Sequence, residues 1–248
     1  MTAYLGLSAF HRDAAAALVV DGRVVAAVQE ERFSGRPGDA SFPRRAARWC
    51  LDEGGLRARD LDGVVVSRKP LRTFERVLVS HLEEFPRSAR GFSRAMFLWL
   101  GDRLWIRSRV AQELEVDAKR VLFCDHARAH ATSAAFAAGL DDAAVLVLDD
   151  VGEWTTTAQC RVRGGEAEVL AELRFPDSLG LVASAMTQYL GFVPGQDEEV
   201  LGALGAFGTP RELERLRALV PRAEGGAVRV DRRAFPFRRG GDLTYGAP

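Results

Sequence analysis

LFCDHARAHATSAAFAAGLDDAAVLVLDDVGEWTTT, residues 122–157, decides how this chain is read. His126 and His130 stand at i and i+4, so on a helix they share one face. Asp125 is a candidate N-cap, and the alanine-rich run to Gly139 sustains a helix. Ala143 to Leu148 is a short continuous apolar run, the pattern of a buried strand. It leads into Asp149-Asp150-Val151-Gly152-Glu153, which puts carboxylates and a glycine at the strand's C-terminal edge, where open α/β sheets bind ligands. Two imidazoles and a strand-end aspartate suit a divalent metal, or a phosphate held through one. The same spacing also fits an ordinary helix with one packed and one exposed histidine beside an acidic turn.

Upstream, Ala3 to Ala9, Ala14 to Val20 and Arg23 to Gln29 read as three strands, the last two joined by the hairpin signal Asp21-Gly22. That opening fits a phosphate-binding half-domain of the actin-like ATPase type and equally a plain β-meander. A loop spans Ser34 to Ser41, and a helix follows from Phe42, with Pro43 in its first turn and Gly54-Gly55 as its stop. Leu61 to Ser67 is another buried strand, giving a strand–helix–strand unit and hence parallel pairing. Residues 72–115 are helical, with arginines 87, 90, 94, 103, 107 and 109 among aromatics. Nearby acids (Asp102 among them) and zero net charge favour a solvated helical insertion over a nucleic-acid face.

Downstream, Val121 to Cys124 leads into the histidine helix. Trp154 to Val162 and Ala167 to Arg174 are strands joined at Gly164-Gly165, and a helix runs from Leu179 to Leu190. A strand–hairpin opening therefore occurs twice, near residue 3 and near residue 144, a weak internal repeat that fits a duplicated α/β unit. GALGAFG (202–208) is a glycine-rich turn, neither a Walker loop nor a dinucleotide fingerprint. The tail from Arg232, with Gly240-Gly241 and the final Ala247-Pro248, has no closing helix.

A chain of 248 residues has ample material for a core, and its zero formal charge gives no general attraction to nucleic acid or anionic membrane. Cys50, Cys124 and Cys160 are widely spaced without a CxxC pair, as in a reducing compartment. No apolar run approaches a membrane span and no secretory signal is visible, so a soluble, cytoplasmic protein is expected.

Five segments in order carry a family resemblance: YLGLSAFHRDAAAALVVDGRVVAAVQEERFSG (4–35), SRKPLRTFERVL (67–78), HARAHATSAAF (126–136), LDDVGEWTTT (148–157) and FPDSLGLVASAMTQYLGF (175–192). Together they resemble the O-carbamoyltransferases of the nodulation-protein U, cephamycin and tobramycin type. The resemblance implies an α/β, actin-like ATPase (ribonuclease-H-like) fold, akin to the protein that makes threonylcarbamoyl-adenosine in tRNA. The first half is expected over residues 1–142, complete and with a helical insertion at about 72–118, and a partial second half over 143–248. It also implies transfer of a carbamoyl group from carbamoyl adenylate, itself made from ATP and carbamoyl phosphate, to a hydroxyl of a small-molecule natural product.

Carried over residue by residue, His126, His130 and Asp149 match the family's metal ligands, with iron, manganese and magnesium not distinguished. His130, Asp13 and Lys69 are the implied catalytic residues. Asp150, Gly152, Glu198 and Gly208 fall where the family holds its adenylate. The departures are Ala127 for a further histidine, Asp150 for the glycine of a DGxGE segment, Arg12 for a first-turn histidine, and Val200 for a lysine in DEEVLGALGAFG (197–208). The adenylating domain and part of the second half are expected beyond Pro248, and a partner chain is expected to supply them, or else self-association. Three readings compete: a split or truncated carbamoyltransferase, a degenerate binding partner or stabiliser of a complete biosynthetic enzyme, and a different nucleotide- or metal-dependent enzyme on the same scaffold.

Overall fold

The computed structural model describes residues 1–101, 103–223 and 227–239, so Asp102, Gly240-Gly241 and Ala247-Pro248 lie outside the described residues. The chain divides into two compact units, residues 1–71 with 99–126, and residues 72–98 with 127 onward.

In the first unit, β1 (Ala3–Ser8), β2 (Ala15–Val20) and β3 (Arg23–Gln29) form an antiparallel meander, and β4 (Gly63–Val66) and β5 (Val121–Phe123) add in parallel beyond β1. The resulting order, β3-β2-β1-β4-β5, is the ribonuclease-H-like sheet, and the chain is of the α/β class. Alternation sets its inner face: Ala3, Leu5 and Leu7 of β1, Ala16 and Leu18 of β2, and Val64 and Val66 of β4 are all buried. Each buried Leu or Val of this set stabilises by roughly 1.5–3 kcal/mol relative to an exposed one. The turn between β2 and β3 needs positive φ at both central residues, and Asp21 (48°) and Gly22 (77°) adopt it.

The short helix α1 (Glu31–Ser34) follows β3, and α2 (Arg44–Glu53) packs Ala46, Ala47, Cys50 and Leu51 into the same core. Next come α3 (Pro70–Glu83), α4 (Ala89–Gly101) and α5 (Ile106–Leu114). The last of these corrects the expectation of a solvated insertion. Ile106, Val110 and Leu114, at i, i+4 and i+8, are buried in the first unit's core. Its arginines are engaged too: Arg107 donates to the Ala118 carbonyl and stacks over Phe123, and Arg109 stacks over Phe10, 4.6 Å from the ring centre.

Helix α6 (His126–Ala137) starts on the last residue of the first unit and continues into the second, where an antiparallel sheet of β6 (Asp142–Leu148), β7 (Thr155–Arg163) and β8 (Glu166–Arg174) follows, in that order. Two antiparallel meanders, β1–β3 and β6–β8, are the strand-level form of the repeat. Ala127, Ala131 and Ala135 of α6 pack with Val147, Ala158, Cys160 and Val162 of the sheet. With no side chain beyond Cβ on that stripe, helix and sheet approach closely. The expectation that Ala143–Leu148 is buried throughout is corrected here. Val147 is buried, but Leu146 and Leu148 on the opposite face are each 60% exposed, because α6 covers only one side. Beyond the sheet, α7 (Leu179–Tyr189), α8 (Glu198–Gly205) and α9 (Leu213–Leu219) complete the unit, with a further core of Phe175, Ala185, Val230, Phe235 and Phe237. The expected glycine-rich turn at 202–208 begins instead as α8, which places Gly202 and Gly205 within a helix. Among the described residues, no helix is long and apolar enough to cross a membrane.

Candidate metal centre

Helix α6 begins at His126, directly after Asp125, and its continuity fixes the i, i+4 relation of the two histidines. Both stand beside the buried alanine stripe, at the rim of the face that meets the sheet. Strand β6 ends at Leu148, so Asp149 leaves the sheet at its edge, where the Asp149 N–H donates to the Thr156 carbonyl at 2.9 Å. One ligand atom from each of His126, His130 and Asp149 lies within 4.8 Å of the others, with His126 and Asp149 half-buried and His130 exposed.

This set fits a divalent transition metal. Ligands about 2.1 Å from an ion are separated by roughly 3–4 Å, within reach of small rotamer changes from the spacing seen. The tautomer of His126 is also set suitably. Its Nδ1 lies 3.2 Å from the Ser67 carbonyl, which only accepts, so Nδ1 carries the proton and Nε2 keeps its lone pair. A backbone carbonyl behind a ligand histidine is the usual support of a metal-bound imidazole. Arg68 Nη2 lies 3.4 Å from that Nε2 and donates to its lone pair, so the guanidinium has to turn aside before a metal takes that position. Two imidazoles and one carboxylate match iron, manganese or zinc better than magnesium, which prefers an all-oxygen shell.

The remaining expected site residues are placed as follows. Lys69 Nζ is 3.8 Å from the Asp125 carboxylate, one residue before the helix. Asp13, with φ of 60°, sits in the β1–β2 turn paired with Arg12 at 3.7 Å and is not a member of the three-residue group. The Asp150 N–H donates to Asp149 Oδ1 at 2.8 Å, and the Gly152 N–H donates to the Thr155 carbonyl at 2.9 Å, so both belong to the turn that carries Asp149. Glu198, at the start of α8, accepts from Ser184 Oγ at 2.7 Å and from the Gly195 N–H at 2.5 Å, and Gly208 is exposed after that helix. Neither is in the group.

Sequence reasoning missed four supporting residues. Ser67 and Arg68 touch His126, and the buried Ser178 touches the aspartate turn. Ser178 Oγ donates to the Asp150 carbonyl at 2.6 Å. Arg76 Nε donates to the Glu153 carbonyl at 2.5 Å and its guanidinium stacks over Phe175, anchoring the far end of that turn. Only the Ser-x-x start of a helix at Ser178 carried a visible signal, as an N-cap.

Residues 3–241 match the carbamoyltransferase N-terminus family. A protein of Synechocystis sp., the uncharacterized sll1178, is 39% identical over 263 aligned residues, covering 100% of this chain and 43% of that protein. Nodulation protein NolNO of Sinorhizobium fredii is 32% identical over 206 residues, 81% of this chain and 28% of NolNO. The chain thus spans less than half the length of either relative. Among solved structures, YeaZ from Pseudomonas aeruginosa aligns with a TM-score of 0.40 at 17% identity, over 71% of this chain and 68% of YeaZ. The Aquifex aeolicus Ppx/GppA phosphatase aligns with a TM-score of 0.37 at 12% identity, over 80% and 59%. This chain belongs to the carbamoyltransferase family and matches its N-terminal domain.

Proposed function

We propose that this chain takes part in O-carbamoyl transfer to a hydroxyl of a small molecule, with a divalent metal held by His126, His130 and Asp149. The observation that carries the reading is the convergence of those three ligand atoms within 4.8 Å, in a chain of this family. In the step proposed, the acceptor oxygen attacks the carbonyl carbon of carbamoyl adenylate. The bond from that carbon to the phosphate oxygen breaks, AMP leaves, and the hydroxyl proton passes to a general base. A bound metal would supply Lewis-acid stabilisation of the negative charge that develops on oxygen. The protein's own part is electrostatic and positional: Ser67 fixes the His126 ring, while Lys69 and Arg68 bring positive charge toward an anionic donor. Asp150, Gly152, Glu198 and Gly208 are the proposed contacts to the adenylate. We further propose that a partner chain makes the donor.

One observation favours a second reading, in which the chain only binds or stabilises a complete enzyme. Val200 replaces the lysine implied by the resemblance, and an aliphatic side chain cannot hold phosphate as a point charge. The test supplies the manganese- or iron-loaded chain with carbamoyl adenylate generated in situ and a panel of hydroxylated small molecules, with mass spectrometry as readout. Gain of one carbamoyl group that requires the chain and is lost in His130→Ala supports transfer. Gain that persists in His130→Ala overturns the site, and no gain with any acceptor favours the binding reading.

A further inference from the structure

We infer that Ser178 and Gly180, at the start of α7, are positioning residues for the Asp149 carboxylate. The inference rests on the metal reading of His126, His130 and Asp149. Asp149 Oδ1 is held by the N–H of Asp150 at 2.8 Å, so the orientation of its carboxylate depends on where the 149–150 peptide lies. That peptide lies directly on the first turn of α7. A Cβ built on Gly180 would fall 2.6 Å from both the Asp149 carbonyl oxygen and the Asp150 nitrogen, and 2.7 Å from the Asp149 carbonyl carbon. All three are backbone atoms, which cannot swing aside as a side-chain end would. Gly180 is therefore the residue that lets the aspartate turn sit against the helix.

Ser178 fastens the same turn at the next peptide. Its hydroxyl donates to the Asp150 carbonyl at 2.6 Å, lies 3.3 Å from the Asp149 carbonyl, and accepts the Leu181 N–H at 3.0 Å as the N-cap of α7. It is fully buried. One hydroxyl thus ties the helix start to the turn, and one missing methyl allows the contact. Inside a helix alanine is otherwise favoured over glycine, so Gly180→Ala should leave α7 formed while displacing the turn. Loss of a support of this kind weakens metal binding by about 10–100-fold.

The experiment titrates the full 248-residue protein with Co2+, following the visible ligand-field bands, for wild type, His130→Ala, Gly180→Ala, Ser178→Ala and Ser178→Thr. Expected are ligand-field bands in wild type, weaker binding with altered band shape in Gly180→Ala and Ser178→Ala, and recovery in Ser178→Thr, which keeps the hydroxyl. Far-ultraviolet circular dichroism should show helix content retained. A folded Gly180→Ala protein that binds cobalt as wild type does overturns the inference while leaving the metal site standing. If Gly180→Ala fails to fold, Ser178→Ala decides, and wild-type affinity there overturns the inference. A folded wild type that binds no cobalt removes the metal reading and this inference together.

Discussion

Ala131→Leu is the perturbation that probes how the histidine helix is seated. Ala131 is completely buried, between Ala127 and Ala135 on the stripe that faces Val147, Ala158, Cys160 and Val162. Three added carbons there meet a filled space, and overpacking of this kind costs about 1–3 kcal/mol. Leucine is nearly as good a helix former as alanine, so propensity does not account for a loss of that size. In urea, with a slope of roughly 2 kcal/mol per molar, the unfolding midpoint should fall by about 0.5–1.5 M. Ala134→Leu, three residues on and exposed, is the control and should stay within about 0.5 kcal/mol of wild type. Because α6 carries both histidines and β6 leads directly to Asp149, lifting the helix off the sheet also spreads the ligand set. Unchanged midpoints in both variants would refute close packing of the stripe, and with it the reason given for the position of the histidines.

Other outcomes follow from titratable and thiol groups. Burial pushes the His81 imidazole below its ordinary value, so the folded state binds fewer protons than the unfolded one. Stability should therefore be full above about pH 6.5 and fall as pH drops through the folded value, with His81→Phe flattening that slope in urea melts at a series of pH values. Arg161 and Arg163 hold the Asp142 carboxyl down at about 2, so its contribution should persist above its ordinary range and be lost only as pH falls toward 2; NMR titration of that carboxyl checks it. Cys50 and Cys160 are buried, with the Cys50 thiol pushed up by burial, whereas Cys124 is partly exposed. A thiol reagent should modify Cys124 first and reach the other two only on unfolding.

Much of this was legible in the sequence wherever the signal is local. Apolar runs marked β1 and β2, Asp21-Gly22 marked their neighbouring hairpin, and i, i+4 spacing put His126 and His130 on one face. The strand-end position brought an aspartate into the candidate set, and the resemblance singled out Asp149 within Asp149-Asp150. What escaped depends on which surfaces meet. Ile106, Val110 and Leu114 had helical spacing, but the arginines between them masked a core helix whose charges stack on Phe10 and Phe123. The run at 143–148 is uniformly apolar, yet one face lacks a covering helix within these residues. In GALGAFG the glycines outweighed a stronger signal, the acidic pair Glu198-Glu199 that favours a helix N-terminus. Gly180 looked like any glycine, because only the peptide lying against it gives it a role.

The most direct test of the account is the metal content of the purified chain after equilibration with manganese or iron and removal of unbound ion. The three-ligand site predicts about one ion per chain, weakly held because water completes the shell, and a loss of that ion in the His126→Ala, His130→Ala double variant. Metal content unchanged in the double variant, with the protein folded, would contradict it.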